Sequence, residues 1–202
     1  MLSGFFIFYI YSLHRRIDRI ETLLLSQIKR KYTIDRADHP RIGSADSEIE
    51  VLVFSDFTCP HCYEFYNQLE RMRAEFIESK KVSFVFYSYP MRSHDNSILF
   101  SAIGKYGHAV NNFEPFYHRL FQRKDSLHSH NLASHFSDLV ADTNDFKDRI
   151  FQKEQPAIEG DIQLIKEYQI KGAPAFIIDD QLHVGLKTDS AMREVLLRAL
   201  KR

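Results

Sequence analysis

The stretch that decides the fold of this chain is residues 51–62, VLVFSDFTCPHC, in which an apolar run ends in a Cys-x-x-Cys motif. The amphipathic segment Tyr63 to Ile77 follows at once, so the pattern predicts a strand that leads directly into a helix. Cysteines at i and i+3 lie on one side of the first helical turn, and Cys59 lies where backbone N–H groups lack intrahelical partners. Those groups and the positive end of the helix dipole stabilise a thiolate. We therefore predict that Cys59 is the reactive sulfur and that Cys62 is its buried resolving partner.

The same two cysteines have two other interpretations, a structural zinc site and a structural disulfide. Zinc needs about four ligands, and Cys59 and Cys62 are the only cysteines of the chain. The closest histidine pair, His128 and His130, lies in a polar stretch, 124–131, that is typical of a surface loop. A disulfide that closes so short a loop removes little chain entropy and stabilises little. Redox chemistry is therefore the favoured interpretation, with metal binding as an alternative.

The composition predicts one folded domain with an insertion or a tail. The chain has 202 residues, 44% of them hydrophobic, and its 17 Phe residues are enough to build a sizeable core. Its 27 basic and 27 acidic residues balance, so net charge points to neither a nucleic acid nor an acidic substrate. Two cysteines in a Cys-x-x-Cys serve in reducing or oxidising surroundings, so they do not assign a compartment.

An aromatic and aliphatic run, Phe5 to Tyr11, lies near the start of the chain and is followed by basic residues at 14–16. The run is roughly half as long as a membrane span. It has the length of a signal-peptide core, but no basic residue precedes it and no small-x-small cleavage site follows. It fits a signal anchor that begins upstream of Met1, although the basic residues favour the opposite orientation. The alternative is a helix whose aromatic face packs on a partner.

The next segment, 13–28, has a short heptad pattern that completes the predicted tail, residues 1–32. The apolar spacing lasts only about two heptads, because Gln27 falls at the next core position. Such a seam predicts a homo-oligomer, or equally an amphipathic helix on its own domain or on a membrane surface. The residues that form the seam are Leu13, Ile17, Ile20 and Leu24.

The remaining chain predicts an α/β domain. Residues 33–47 have no periodicity and contain Pro40 and Gly43, so we predict a linker there and a globular domain at 48–202. After the motif helix, the spacing of apolar residues predicts a strand at 82–89, a helical insertion at about 93–168, a hairpin at 175–178 and 182–184, and a helix at 188–200.

This order of elements resembles the thioredoxin fold, and four segments resemble the DsbA family of thiol:disulfide oxidoreductases. The resemblance spans residues 48–202 and its motifs occur in the family's order. The segments are FSDFTCPHC at 54–62, with the Pro-His dipeptide typical of the family, YSYP at 87–90 with His94 beyond, NNFEPFYHRLF at 111–121, and KGAPAF at 171–176. Aromatic residues at helical spacing in the third segment are also what plain core packing produces.

The resemblance implies a role for each residue around the two sulfurs. The proline of the KGAPAF segment is cis in thioredoxin-like proteins and lies against the cysteines, so Pro174 is expected to shape the site. The preceding residue, Ala173, and Pro60 of the motif are expected to contact an extended substrate peptide. A hydrogen bond or positive charge from His61 is expected to stabilise the thiolate.

Two positions depart from the family. Members often have Thr or Val before the cis-proline, and Ala173 is smaller and has no hydroxyl. Several thioredoxin-like proteins keep a buried acid that relays protons to the second cysteine, and Val53 stands at that position. Asp56 is the nearest acid and is the candidate proton relay, although a strand-end acid is also typical of a solvated turn.

The predicted function is therefore that of a dithiol oxidase, which introduces disulfides into secreted or envelope proteins through the Cys59–Cys62 pair. The redox-active disulfide is the only redox group expected, with no cofactor and no metal. The resemblance implies reduced or unfolded substrate proteins, a membrane redox partner that reoxidises or reduces the site, and a periplasmic location, with the N-terminus as an inner-membrane anchor. No nucleic-acid partner is expected.

Two alternative functions stay open. The same site can serve an oligomeric isomerase or reductase, in which the segment 13–28 joins the protomers; a monomer in solution would argue against it. The other alternative is a non-catalytic metal-binding module, which a reduced protein without bound zinc would exclude.

Overall fold

The structure, a computed structural model, describes residues 14–17, 19, 32, 34, 36, 38–91, 96–123 and 125–201. The chain divides into two units, residues 1–34 and residues 35–202. In the first unit, residues 14–17 and 19 are helical, whereas the predicted apolar leader and most of the predicted heptad seam lie outside the described residues. Within the described ranges, no helix combines the length and the hydropathy that a membrane span requires.

A five-stranded mixed sheet organises the second unit, with the strand order β1-β3-β2-β4-β5. The strand that carries the motif, β2, is central: it runs parallel to β3 and antiparallel to β4. Val53 of β2 pairs with Phe86 on one side and Phe176 on the other. The strands are β1 Arg41–Ile42, β2 Ile49–Ser55, β3 Val82–Ser88, β4 Ala175–Ile178 and β5 Gln181–Val184.

The sheet begins earlier than the sequence predicts. The predicted linker, 33–47, contains β1, which pairs antiparallel with β3, and the Phe86 N–H donates to the Pro40 carbonyl at 2.8 Å. The domain therefore starts upstream of the predicted boundary at Glu48. A two-residue strand is too short to show alternation of apolar and polar residues, so periodicity could not reveal it.

Seven α-helices lie in the described part of the second unit, and five of them form the helical insertion that the sequence predicts between β3 and β4. Two segments continue in π-helical geometry, Arg73–Glu78 after α1 and Ile150–Glu154 after α5. The helices are α1 Pro60–Met72, α2 Ser97–Ala109, α3 Phe113–Arg123, α4 Leu132–Phe136, α5 Thr143–Arg149, α6 Gln155–Glu167 and α7 Asp189–Ala199.

The aromatic residues belong to one hydrophobic core, which extends from the sheet into the insertion. Under α1, the Phe65 ring lies 4.7 Å from the Phe176 ring, and both side chains are fully buried. In the insertion, Phe116 stacks on Phe136 at 5.2 Å. A Cβ at Gly107 would come within 2.8 Å of Phe116, so α2 and α3 approach this closely only because residue 107 has no side chain.

Phe57, two residues before the first cysteine, belongs to the same core. Its ring lies 5.8 Å from Tyr117 and 5.0 Å from Phe121, both on α3. The aromatic-rich segment of the sequence is therefore core packing, and it fixes the motif loop against the insertion.

Candidate active site

Both cysteines lie at the N-terminus of α1, with Cys59 at the N-cap position and Pro60 in the first turn. Proline suits this position because its missing N–H would have no intrahelical partner. The Tyr63 N–H donates to the Cys59 carbonyl at 3.1 Å and so starts the helix. Both cysteines are free thiols. Cys59 is 4% exposed and Cys62 is 0% exposed, so a reagent in solution reaches Cys59 first.

The surroundings of Cys59 favour its thiolate. A hydrogen bond from the Cys62 thiol is the main cause that lowers the pKa of Cys59, from an ordinary value of 9.0 to about 6. Burial opposes this effect, whereas the backbone N–H groups of Cys62 and His61 add to it and the charge of Asp56 opposes it slightly. The stabilising N–H groups are those of the first helical turn, as the sequence predicts.

The surroundings of Cys62 favour its thiol. Burial raises the pKa of Cys62 well above its ordinary value of 9.0, and the hydrogen bond with Cys59 raises it further. The Asp56 N–H, whose nitrogen lies 3.4 Å from the Cys62 sulfur, and the nearby Ser55 hydroxyl partly oppose this rise. At neutral pH the site therefore holds one thiolate, on Cys59, and one thiol, on Cys62.

The loop before β4 lies directly against the first cysteine. The Cys59 thiol donates to the Ala173 carbonyl oxygen, with a sulfur–oxygen distance of 3.7 Å. The Ala173–Pro174 peptide bond is cis, as the resemblance predicts, and Pro174 is buried. The structure thus brings together two sequence segments that are more than a hundred residues apart.

The two residues between the cysteines are both exposed. His61 acts on Cys59 through its backbone N–H. The role predicted for its side chain stays a prediction, as does the predicted contact of Pro60 with substrate.

Asp56 is fully buried rather than a solvated turn residue. One carboxylate oxygen accepts from the Thr58 N–H at 2.8 Å and the Thr58 hydroxyl at 2.7 Å. The other accepts from the Met91 N–H at 3.0 Å and the Ser97 hydroxyl at 2.8 Å. The group that contacts the Cys62 sulfur is the Asp56 backbone N–H, so the proton-relay role of the carboxylate stays a prediction.

Sequence reasoning missed the partners of Asp56. Thr58 has a local signal, because aspartate often accepts a hydrogen bond from the backbone two residues on. Met91 and Ser97 have none, because they are 35 and 41 residues away and meet Asp56 only through the fold. Ser55 was also missed, since a serine at the end of an apolar strand is unremarkable in sequence.

The histidines that could have completed a zinc site lie elsewhere. His128 and His130 are exposed, and their rings stack on each other at 5.4 Å. Within the part of the chain that the structure describes, no three His, Cys, Asp or Glu residues are grouped as metal ligands.

Comparisons with known proteins agree with this geometry. The family model described as Thioredoxin matches residues 35–197. A protein of Bacillus cereus described as "Probable disulfide bond formation protein D" is 26% identical over 152 residues, which are 70% of this chain and 70% of that protein.

Two solved structures share the fold and cover most of each chain. Oxidised BdbD from Bacillus subtilis has a TM-score of 0.74 at 18% identity over 83% of this chain and 96% of that chain. The thiol-disulfide exchange protein alpha-DsbA2 from Wolbachia pipientis has a TM-score of 0.69 at 22% identity over 91% of this chain and 97% of that chain. The predicted thioredoxin fold with a helical insertion is thereby confirmed.

Proposed function

This chain belongs to the thioredoxin family and is a thiol:disulfide oxidoreductase, and we propose that it acts as a dithiol oxidase on reduced substrate proteins. The observation that carries this proposal is the contrast between the two sulfurs. The pKa of Cys59 is lowered to about 6, whereas that of the buried Cys62 is raised. A stabilised thiolate on one sulfur favours the reduced pair, so the disulfide form is an oxidant.

The reaction transfers a disulfide to the substrate in two exchanges. A substrate thiolate attacks the Cys59 sulfur of the oxidised pair, the Cys59–Cys62 bond breaks, and Cys62 leaves with the electron pair. A second substrate thiolate attacks the substrate sulfur of this mixed disulfide, and Cys59 leaves. The low pKa of Cys59 makes it a good leaving group in the second exchange. The reduced pair must then be reoxidised by the disulfide of a redox partner protein, which is itself reduced to a dithiol, and no further cofactor is needed.

The neighbouring residues have proposed roles that follow from their positions. The Ala173 carbonyl, 3.7 Å from the Cys59 sulfur, lies where an extended substrate peptide would meet the site. Pro174 shapes that loop, and the exposed Pro60 and His61 supply surface beside the sulfur. The proton-relay role of the Asp56 carboxylate stays a prediction, because the contact with the Cys62 sulfur is made by the backbone N–H of Asp56.

The proposed setting is an oxidising compartment, because structural disulfides form and persist there. Substrates would be reduced or unfolded secreted or envelope proteins, and a membrane redox partner would reoxidise the site, as in the resembled family. The bacterial periplasm fits this chemistry. Oligomerisation through residues 13–28 and anchoring by the N-terminus concern segments that lie largely outside the described residues, and they stay predictions.

The reduction potential of the Cys59–Cys62 pair tests the proposal. The protein is equilibrated in glutathione buffers, free thiols are trapped, and the oxidised fraction is counted by mass spectrometry. We expect a value near about −120 mV, and a value near about −270 mV would contradict an oxidase and favour a reductase. A Cys62→Ser variant, which cannot form the pair, is the control for glutathione adducts on Cys59.

A refolding assay separates an oxidase from an isomerase. The oxidised protein is added to a reduced substrate with two cysteines, and the reduced protein is added to a substrate with scrambled disulfides. An oxidase accelerates the first reaction. Faster recovery of the scrambled substrate, together with an oligomer in sedimentation, would favour the isomerase.

A further inference from the structure

A small cavity lies at the C-terminal ends of β2 and β3, where they face α2. Its volume is about 20 Å³, which is enough for one water molecule. Polar atoms reach it from three serines, Ser55 on β2, Ser88 on β3 and Ser101 on α2. Its other walls are mostly aromatic and include Phe57, Phe86 and Phe113.

Two hydroxyls that line this cavity are buried and unpaired. Ser55 and Ser101 are 7% and 1% exposed, and within the described residues neither hydroxyl oxygen has a hydrogen-bond partner. An unpaired hydroxyl in an apolar interior is costly, so buried hydroxyls are nearly always paired with protein or with ordered water. A single water between the two hydroxyls would give each of them a hydrogen-bond partner.

Ser55 also lies beside the buried cysteine. The next residue, Asp56, donates its N–H to the Cys62 sulfur at 3.4 Å, and the Ser55 hydroxyl is near enough to that sulfur to favour its thiolate. At the β2 position where several thioredoxin-like proteins keep a buried acid, this chain has Val53, which is fully buried and pairs with Phe86 and Phe176. Thiol–disulfide exchange nevertheless requires Cys62 to gain or lose a proton in a site closed to solvent.

We propose that this cavity binds a water molecule bridging Ser55 and Ser101, and that Ser55 and this water carry the proton that Cys62 exchanges during the reaction. The inference rests on the proposed thiol–disulfide exchange at the Cys59–Cys62 pair. When an attacking thiolate breaks the Cys59–Cys62 bond, the electron pair stays on Cys62. The Ser55 hydroxyl then gives its proton to this thiolate as it takes one from the water, and the water regains its proton from solvent, so that no hydroxide is left in the cavity. In the opposite direction the same proton returns to water before Cys62 attacks.

Three other titratable groups face Cys62. Cys59, one turn away, is the partner of the reaction. The Asp56 carboxylate accepts four hydrogen bonds from Thr58, Met91 and Ser97. Tyr117 on α3 is fully buried, and burial, with a smaller contribution from Cys62, raises its pKa well above the ordinary value. Tyr117 does not line the cavity, whereas Ser55 does, so Ser55 can pass on a proton from a water without being the source of that proton.

Rapid-quench kinetics isolate the step that uses Cys62. Reduced protein is mixed with excess oxidised glutathione, quenched in acid, and the glutathione adduct on Cys59 is counted by mass spectrometry. Formation of the adduct reports attack by Cys59, and its decay reports attack by Cys62. We expect Ser55→Ala to slow the decay about tenfold at neutral pH and to shift its pH midpoint upward, because the Ser55 hydroxyl lowers the pKa of Cys62 and the variant loses that effect. Formation of the adduct should not change.

Matched variants separate the water route from a structural effect. Ser101→Ala should slow the decay of the adduct less than Ser55→Ala does. Ser55→Thr keeps a hydroxyl and should restore the native decay rate. Ser83→Ala is the control, because Ser83 is a fully buried serine whose hydroxyl accepts from Arg41, away from the cysteines. A crystal structure of the native protein should show a water bonded to both Ser55 and Ser101.

The outcomes are distinct. An unchanged pH profile of decay in Ser55→Ala overturns the water route and leaves the proposed function standing. A shift in the pH midpoint of adduct decay that occurs in Asp56→Asn but not in Ser55→Ala also overturns the water route, and it supports Asp56 as the relay instead. A native protein that forms no adduct overturns the proposed function and this inference together. If Ser55→Ala does not fold, a crystal structure without a water at this position overturns the inference.

Discussion

Asp56, just after β2, and Asp161, on α6, are both buried carboxylates, but the structure surrounds them in opposite ways. Asp56, beside the cysteines, accepts within the described residues from neutral donors, two backbone N–H groups and two hydroxyls. Asp161, on α6, lies 2.9 Å from the His39 imidazole and 3.2 Å from the Lys105 ammonium, and it accepts from the Ser88 N–H at 2.7 Å.

The difference decides what each charge does. Lys105 offsets the charge of Asp161. The cluster therefore links the insertion to the sheet through Ser88 and to the segment before β1 through His39. The neutral donors hold Asp56 in place without cancelling its charge, which therefore acts on Cys59 and raises its pKa slightly. One carboxylate stabilises the fold, whereas the other also adjusts the redox site.

The largest expected effect is on stability. Asp161→Ala leaves the nearly buried Lys105 without a counter-charge, and the free energy of unfolding should fall by about 3–5 kcal/mol. Asp56→Ala should cost less, about 1–3 kcal/mol, because Thr58 is partly exposed and the Met91 N–H keeps the Ser97 hydroxyl as an acceptor, so the Ser97 hydroxyl is the buried donor that loses its partner. Urea denaturation followed by circular dichroism measures both. Asp138→Ala removes an exposed ion pair with Arg119 and should not move the midpoint. A larger loss in Asp56→Ala than in Asp161→Ala would contradict the comparison.

The second effect is the dependence of stability on pH. Burial raises the pKa of Asp161, but the hydrogen bond from His39, the charge of Lys105 and the Ser88 N–H lower it more, to below its ordinary value of 3.8. A group whose pKa is lower in the folded state stabilises the protein above the unfolded pKa and loses that contribution as pH falls through the folded one. Stability should therefore decrease below about pH 4, and Asp161→Asn should flatten that decrease. An unchanged acid profile in urea titrations of the variant would rule out this assignment.

The third effect concerns the Cys59 thiolate. Its largest stabilising contact is the hydrogen bond from Cys62, so Cys62→Ala should move the pKa of Cys59 from about 6 upward, toward 9.0. Cys62→Ser keeps a donor and should leave it near 6. The rate of alkylation by iodoacetamide as a function of pH gives the pKa directly. Equal values in the two variants would mean that the hydrogen bond from residue 62 is not the cause.

The smallest effect is that of Asp56 on the same sulfur. Asp56→Asn removes the charge and should lower the pKa of Cys59 by less than Cys62→Ala raises it, because Asp56 is the weakest of the contributions. The same alkylation measurement detects it, with Asp161→Asn as the matched control. A shift of equal size in the control would show that the effect does not come from proximity to the cysteines.

The sequence predicted what local patterns determine. Alternation and helical spacing located the motif strand, the helical insertion and the hairpin, because each depends on residues within about ten positions of one another. The resemblance placed the cis peptide bond before Pro174, which the structure contains. By contrast, the sequence predicts a linker at 33–47, the segment whose His39 contacts Asp161 on α6. His39 meets Asp161 across 122 residues of sequence, and no period in either segment indicates that contact.

The candidate site divides in the same way. The spacing of Cys59 and Cys62 identifies the motif in the sequence. Any helix that begins at this position has first-turn N–H groups without intrahelical partners, so these groups are predictable as well. Tertiary packing determines which donors surround Asp56, and it brings the two serines of the cavity, Ser55 and Ser101, close to each other. A serine that ends a strand and a serine inside a helix become one feature only when β2 and α2 meet.

The N-cap position of Cys59 has a consequence for the helix itself. Serine, threonine, aspartate and asparagine are preferred there, because their side chains accept from the second and third N–H groups of the helix. In α1 those groups belong to His61 and Cys62, the two whose N–H groups lower the pKa of Cys59. The sulfur is a good cap as a thiolate, and it loses that charge when it enters the disulfide. Oxidation therefore removes the negative charge beside the N-terminus of α1, and the fold should be more stable with the pair reduced than with the pair oxidised.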